Sequence, residues 1–215
     1  MQTTDLLRVA FALTAGYLLG GIPFGVIVTR LVGGRDPRTV GSGRTGGANV
    51  SRAIGYRWAL VAGLLDVAKA SLVVLVVIAI GGDVVAQVAA ALAAIVGHSR
   101  SPYIGLQGGR GISPATGGAL VIAPLVLAAI FPIFVVTIAV TRIASLGSLA
   151  ASAVGGVVMV VAAIILNLPP VYIVYGVAVP GLIWLFHLDN IQRLVSGRER
   201  RLEPNPGGGD SSPTA

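Results

Sequence analysis

From Trp58 to Ile80 the chain reads WALVAGLLDVAKASLVVLVVIAI, an apolar run broken by one acid and one base. A run of this length matches the roughly 20 residues that a helix needs to cross the hydrocarbon core of a bilayer. Similar runs recur along the sequence. In lipid every backbone N–H and C=O must be paired inside the protein, which leaves helices and closed barrels as spanning structures. These runs are continuous rather than alternating, which disfavours a barrel. Composition agrees: 55% of the 215 residues are hydrophobic and 11% are charged, whereas a soluble domain carries roughly a quarter charged residues. The expected fold is all-α, a polytopic transmembrane helical bundle.

Seven spans are predicted, at about 6–30, 58–80, 83–97, 111–129, 131–144, 146–167 and 170–187. The first stays apolar from Val9 to Val28, longer than the 7–15-residue core of a signal peptide, and reads as a retained span. The stretch 111–144 is too long for one crossing. It is divided at Phe131–Pro132, because proline removes a backbone donor and disfavours helix at the residue before it.

Charge gives an independent check. Arg30, Arg35, Arg38, Arg44, Arg52 and Arg57 fall in the first connection, Arg100 and Arg110 in the third, Arg142 in the fifth, and Arg193, Arg198, Arg200 and Arg201 in the tail. These are 13 of the 15 basic residues. The connections at Gly81–Gly82, Phe131–Pro132 and Asn167–Pro169 have none. Because cytoplasmic loops are enriched in Lys and Arg, seven spans put the N-terminus outside and the C-terminus in the cytoplasm. The pI near 10.8 then reflects orientation and anion binding rather than nucleic acid. Cysteine is absent, so disulfides and thiolate metal sites are excluded. No internal repeat is evident. Residues 202–215, LEPNPGGGDSSPTA, bury too little apolar area to fold, and disorder is expected.

The polar clusters all fall on the predicted cytoplasmic side. GSGRTGGANVSR (41–52) combines flexible glycines with two arginines. Glycine lets the backbone approach a ligand closely, and successive N–H groups can form an anion-binding nest. With Gly41, Ser42, Gly43, Asn49, Arg52 and Arg110, the composition suits a phosphate; the alternative is a flexible loop whose arginines set topology. It is not a Walker A loop, since no Gly-Lys-Ser/Thr follows. His187 and Asn190 share a helix face and serve either as proton carrier and donor or as caps of a helix end. Asp66 and Lys69 lie inside the second span, Asp66 about 12 Å beyond Trp58 at ~1.5 Å per residue. They either wall a polar cavity or form an ion pair that supports packing. His98 has no second ligand nearby, and no metal site is expected.

These residues carry a resemblance. GYLLGGIPFG (16–25), GSGRTGGANVSRAIG, LLDVAKA (64–70), GHSRSPYIGLQGGRGISPATG (97–117), TRIASLGS (141–148) and HLDNIQRLVSGRERR (187–201) occur in order and at consistent spacing. They resemble the motifs of the bacterial integral-membrane glycerol-3-phosphate acyltransferases that use acyl phosphate as donor. Two of those motifs read GSGNxGATNVLRxxG and HxxNIxRLxxGxExK/R.

The resemblance implies a seven-span, single-domain acyltransferase over residues 1–201, in the inner (plasma) membrane of a bacterium, with its site on the cytoplasmic face. The implied reaction transfers an acyl group from acyl phosphate to the 1-hydroxyl of sn-glycerol 3-phosphate, giving lysophosphatidic acid. Its implied partners are these two substrates and membrane lipid, with no cofactor and no metal. By the same resemblance Ser42, Arg52, Arg110, His187 and Asn190 surround the glycerol phosphate. Gly108, Gly109 and Gly111 form the backbone loop near the acyl phosphate, and Ser145 or Ser148 adds a hydroxyl. The chain departs from the pattern at Arg44, Gly47, Ala48 and Gln107, where the family has Asn, Ala, Thr and Lys. Two other readings stand beside this one. A non-catalytic relative would bind glycerol phosphate or lipid as a regulator, and an anion transporter would be lined by Asp66 and Lys69.

Overall fold

The computed structural model describes residues 3–202. Among these the chain is all-helical: α1 (Thr3–Gly21), α2 (Phe24–Leu31), α3 (Gly47–Ile54), α4 (Tyr56–Ala79), α5 (Val84–Ser99), α6 (Ile112–Ile122), α7 (Pro124–Thr141), α8 (Ala144–Ile165), α9 (Val171–Phe186) and α10 (Leu188–Val195). Five segments are long and apolar enough to cross a membrane: 3–31, 56–79, 84–104, 124–141 and 144–165. The pair α9 and α10, bent by 68°, makes a sixth if taken as one span.

Helix association in lipid lacks a hydrophobic drive and depends on close backbone approach. The sequence supplies it with small residues. α1 lies along α5 with Gly16 against Ala90 and Ala93, and a methyl on Gly20 would stand 2.5 Å from Ala94 Cα. Ala12, Ala90, Ala91 and Ala94 are fully buried there, with Val73, Val74 and Val77 of α4 behind them. The bulky residues point outward. Leu60, Leu64, Leu72 and Leu75 of α4 are exposed, and α7 has no buried residue at all. An apolar surface of this extent is a liability in water and the required surface in lipid.

The predicted division of 111–144 is corrected. The chain breaks at Ala123–Pro124, where Ala123 leaves helical geometry (φ −145°, ψ 60°) and Pro124 opens α7. Phe131 and Pro132 lie inside α7. Both prolines disfavour helix before them, but they differ in cost. At the first position of a helix the missing N–H has no partner to lose, whereas within a helix it removes one bond, which the flanking turns tolerate. α6 is therefore only about 16 Å long at 1.5 Å per residue. Ile112 and Ser113 at the start of α6 and Ala144 and Ser145 just after α7 line one cavity. α6 thus leaves that end of the bundle and α7 returns to it. The other helices agree with the predicted runs to within a few residues, except that 6–30 is interrupted at Ile22–Pro23.

That interruption is stabilised from α4. Lys69 Nζ donates to the Ile22 carbonyl (2.6 Å) and pairs with Asp66 Oδ1 (2.5 Å). His98 Nδ1 lies 3.2 Å from the ammonium. Asp66 and Lys69 are buried and line neither described cavity, so of the two readings the structure gives the ion pair. Leu202, placed in the predicted tail, donates its N–H to the Arg142 carbonyl (2.7 Å). The remainder of that tail, 203–215, lies outside the described residues.

Candidate active site

Four segments distant in sequence meet at one end of the bundle around a cavity of about 220 Å³. The first is the loop before α3. Gly41 and Gly43 adopt φ of +55° and +70°, a region costly for residues with a Cβ, and so turn the chain back onto Asn49. Asn49 is buried and organises the loop. Its Oδ1 accepts from Ser42 N (3.3 Å) and Arg52 Nη1 (3.0 Å), and its Nδ2 donates to Ser42 Oγ (3.1 Å) and the Arg44 carbonyl (2.8 Å).

The second segment, Gly108 to Gly111, runs over the end of α5. Gly109 N donates to the His98 carbonyl (3.1 Å). A methyl on Gly108 would collide with that carbonyl, and one on Gly109 with the His98 ring. The loop is thus pressed onto α5, and Arg110 projects from it. Arg110 Nη2 pairs with Asp189 Oδ2 (2.7 Å) and Nη1 reaches Ser42 Oγ (3.5 Å), joining the first segment to the last. Burial pulls the Arg110 guanidinium below its ordinary value and Asp189 pulls it back; an arginine so paired stays charged at neutral pH.

The third segment opens α8. Ser145 Oγ donates to Glu199 Oε1 (3.1 Å), while Ser148 Oγ donates to its own helix at the Ala144 carbonyl (2.9 Å). The fourth is the bend between α9 and α10. His187 Nδ1 is 2.7 Å from the Ile183 carbonyl. A carbonyl only accepts, so Nδ1 carries the proton and Nε2 is the nitrogen available to a ligand. Asn190 Nδ2 donates to Glu199 Oε1 (2.7 Å). Arg193 bridges Asp189 (3.1 Å) and Glu199 (2.9 Å).

Of the sequence-predicted residues, Ser42, Asn49, Arg52, Arg110, Ser145, Ser148, His187 and Asn190 line the cavity. Gly41, Gly43, Gly108, Gly109 and Gly111 stand behind its wall and shape the loops that carry Ser42 and Arg110. Sequence reasoning missed the carboxylates. Glu199 lies in the wall and Asp189 anchors Arg110, yet both read as unremarkable charges in a basic tail. Four arginines (44, 52, 110 and 200) line the cavity against one carboxylate. Arg110 Nε and Asn190 Oδ1 are buried with no protein partner among the described residues, which leaves a donor and an acceptor for a ligand.

A second cavity, about 130 Å³ and almost wholly apolar, adjoins the first and shares Ile112, Phe134 and Ser148 with it. It runs between α6, α7, α8 and α9 to Ala123, Met159 and Tyr175. Along α8 from Ser148 to Met159 the helical rise gives a depth of about 16 Å.

An arginine-lined polar pocket at one end of an apolar bundle, adjoining a cavity of hydrocarbon character, defines a class: an integral membrane protein with room for an anionic group beside an apolar one. A family model described as glycerol-3-phosphate acyltransferase matches residues 10–197. The chain belongs to this family. It is 39% identical over 207 residues to a glycerol-3-phosphate acyltransferase of Anaeromyxobacter sp. (strain K), covering 94% of this chain and 100% of that one. It is 36% identical over 209 residues to glycerol-3-phosphate acyltransferase 3 of Dehalococcoides mccartyi (strain ATCC BAA-2266 / KCTC 15142 / 195), covering 91% and 96%. Among solved structures it is similar to PlsY (YgiH), described as an integral membrane glycerol 3-phosphate acyltransferase. The glycerol 3-phosphate form matches with a TM-score of 0.80 at 30% identity over 93% of this chain and 96% of that one. The lysophosphatidic acid form matches with a TM-score of 0.77 at 28% identity, covering 92% and 95%.

Proposed function

We propose that the protein transfers an acyl group from acyl phosphate to the 1-hydroxyl of sn-glycerol 3-phosphate, giving lysophosphatidic acid and inorganic phosphate. One observation carries the reading: the polar pocket and the apolar cavity share Ile112, Phe134 and Ser148, so one molecule can place its head in the first and its tail in the second.

The donor is an activated mixed anhydride, so the protein needs no covalent nucleophile. Its task is to position two phosphates and stabilise developing charge. The acceptor's hydroxyl oxygen attacks the acyl carbonyl carbon. The new ester C–O bond forms, the bond to the phosphate oxygen breaks, and phosphate leaves. The hydroxyl proton passes to the acceptor's own phosphate. Ser42, Asn49 and Arg52 bind the acceptor phosphate, with Gly41 and Gly43 shaping their loop. Arg110, carried by Gly108, Gly109 and Gly111, faces the donor phosphate, where a planar fork grips phosphate oxygens well. His187 Nε2 and Asn190 orient the glycerol hydroxyls, and Ser145 and Ser148 border the acyl carbonyl.

In the membrane we place seven crossings, with α6 and α7 as a short hairpin, the N-terminus outside, and residues 1–201 as a single unit. The distribution of arginine supports this. The corrected outer connections, at Gly81–Gly82, Ala123–Pro124 and Asn167–Pro169, carry no Lys or Arg, which by the positive-inside rule supports a pocket on the cytoplasmic face; the membrane we assign is a bacterial inner membrane.

The test feeds purified protein palmitoyl phosphate and labelled glycerol 3-phosphate, with palmitoyl-CoA as a parallel donor. Labelled lysophosphatidic acid from the phosphate donor alone is expected. Folded protein that binds glycerol 3-phosphate and yields no product with either donor would make it a non-catalytic relative.

A further inference from the structure

The pocket's four arginines are not equivalent. Arg110 is paired with Asp189, and Arg52 donates to Asn49 Oδ1 and the Ala48 carbonyl. Arg200 is exposed. Arg44 is half-buried in the wall, and among the described residues no hydrogen bond or ion pair engages its guanidinium. Its backbone, by contrast, is fixed. The Arg44 carbonyl accepts from Asn49 Nδ2 (2.8 Å), and the next residue, Thr45, is buried and sends its N–H toward the Gly108 carbonyl (3.5 Å). Arg44 therefore stands at the junction of the two loops, with its stem held and its head uncommitted.

It also stands near a like charge. Arg44 is close enough to depress the Arg110 pKa. Two guanidiniums facing one cavity repel, and the repulsion is relieved by an anion between them. Among the described residues none supplies that anion, because Asp189 is paired with Arg110 and Arg193 and Glu199 is taken up by Arg193, Asn190 and Ser145.

The position selects which substrate provides it. Arg110 is two residues before Ile112, which lines the mouth of the apolar cavity. A head group tethered to a tail in that cavity reaches the loop of Arg110 first. We propose that Arg44 and Arg110 form a two-armed clamp for the phosphate of the acyl donor, with Arg44 as a donor-specificity residue. This rests on the acyl-transfer reading above. The chain has Gln107 where the resembled motif has lysine, and in this molecule Arg44 returns a positive charge to the same loop junction.

The experiment compares wild type with Arg44→Asn and Arg44→Lys, measuring KM for each substrate separately and the affinity for inorganic phosphate by titration calorimetry. Arg44→Asn is expected to raise KM for palmitoyl phosphate about tenfold, equivalent to about 1.4 kcal/mol, to weaken phosphate binding by a similar factor, and to leave KM for glycerol 3-phosphate within about twofold. Arg44→Lys falls between. Thermal stability is expected to stay equal or rise, since no protein contact is lost and a repulsion is removed. Unchanged donor KM and phosphate affinity in Arg44→Asn overturn the clamp, as does a rise confined to the glycerol 3-phosphate KM. If wild type gives no turnover, the acyl-transfer reading fails on its own, and calorimetry still decides whether Arg44 holds phosphate.

Discussion

Replacing Lys69 with methionine removes a buried ammonium that pairs with Asp66 Oδ1 (2.5 Å), donates to the Ile22 carbonyl (2.6 Å) and lies 3.2 Å from His98 Nδ1. Both charged side chains are within 5% of full burial, so solvent screening does little and the cost follows that of a broken buried pair, about 3–5 kcal/mol. Two effects act on top of it. The Ile22 carbonyl loses its donor at a helix break, adding roughly 1 kcal/mol or more. Against that, His98 Nδ1 lies 3.4 Å from Asp66, and an imidazole N–H turned toward it compensates part of the stranded carboxylate. A net loss of about 3 kcal/mol corresponds to roughly 6–12 °C in melting temperature for a chain of this size.

The double variant Asp66→Leu, Lys69→Met removes both charges and is expected to lose less than the two single variants added together, with a coupling of about 2 kcal/mol. The assay is thermal unfolding in detergent micelles, with turnover followed in parallel. Activity should fall with the melt, because His98 carries the carbonyl that anchors Gly109. If Lys69→Met melts within about 2 °C of wild type, or if the single losses simply add, the pair is not the strut inferred here.

Three further outcomes are expected. Gly109→Ala drives a methyl into the His98 ring and displaces Arg110; since misplacement of about 1 Å costs ~100-fold in rate, turnover within tenfold of wild type would show that the loop yields. Glu199→Gln turns one acceptor of the Ser145, Asn190 and Arg193 contacts into a donor. Losing charge-assisted bonds of about 1.5–3 kcal/mol should lower kcat/KM at least tenfold, and an unaltered value would remove Glu199 from the site. Because the chain has no cysteine, Pro169→Cys provides a single exposed thiol. A membrane-impermeant maleimide should label it in intact cells, and labelling only after permeabilisation would invert the topology.

The positions of the helices were legible in the sequence because lipid imposes one rule everywhere: about 20 apolar residues, flanked by charge on one side. The rule failed where it had nothing to measure. Between Ile112 and Thr141 hydropathy is uniformly high, so the reversal depended on choosing a proline, and Pro124 and Pro132 obey the same local sterics. What separated them was tertiary: Ile112 and Ala144 must end at the same cavity. The apolar cavity was invisible for a related reason. Its Ala115, Gly155, Gly156 and Met159 are the same residue types that pack helices together, and only the assembled bundle distinguishes a filled interface from a space.

The carboxylates were hidden differently, and they explain how the pocket holds together. Several guanidiniums converging on one cavity repel in a medium where charge is poorly screened. Asp189 takes Arg110 together with Arg193, which is not in the cavity lining, and Glu199 takes Arg193 together with the Asn190 amide and the Ser145 hydroxyl. Neither carboxylate suits the binding of a phosphate, so sequence reasoning that searches for cations and hydroxyls passes over them. Their work is done before substrate arrives. They hold Arg110, Asn190 and Ser145 at fixed positions, so that an incoming phosphate meets a shaped site and the ordering cost is met in folding. Arg44, outside that network, is the cation whose partner must come from elsewhere.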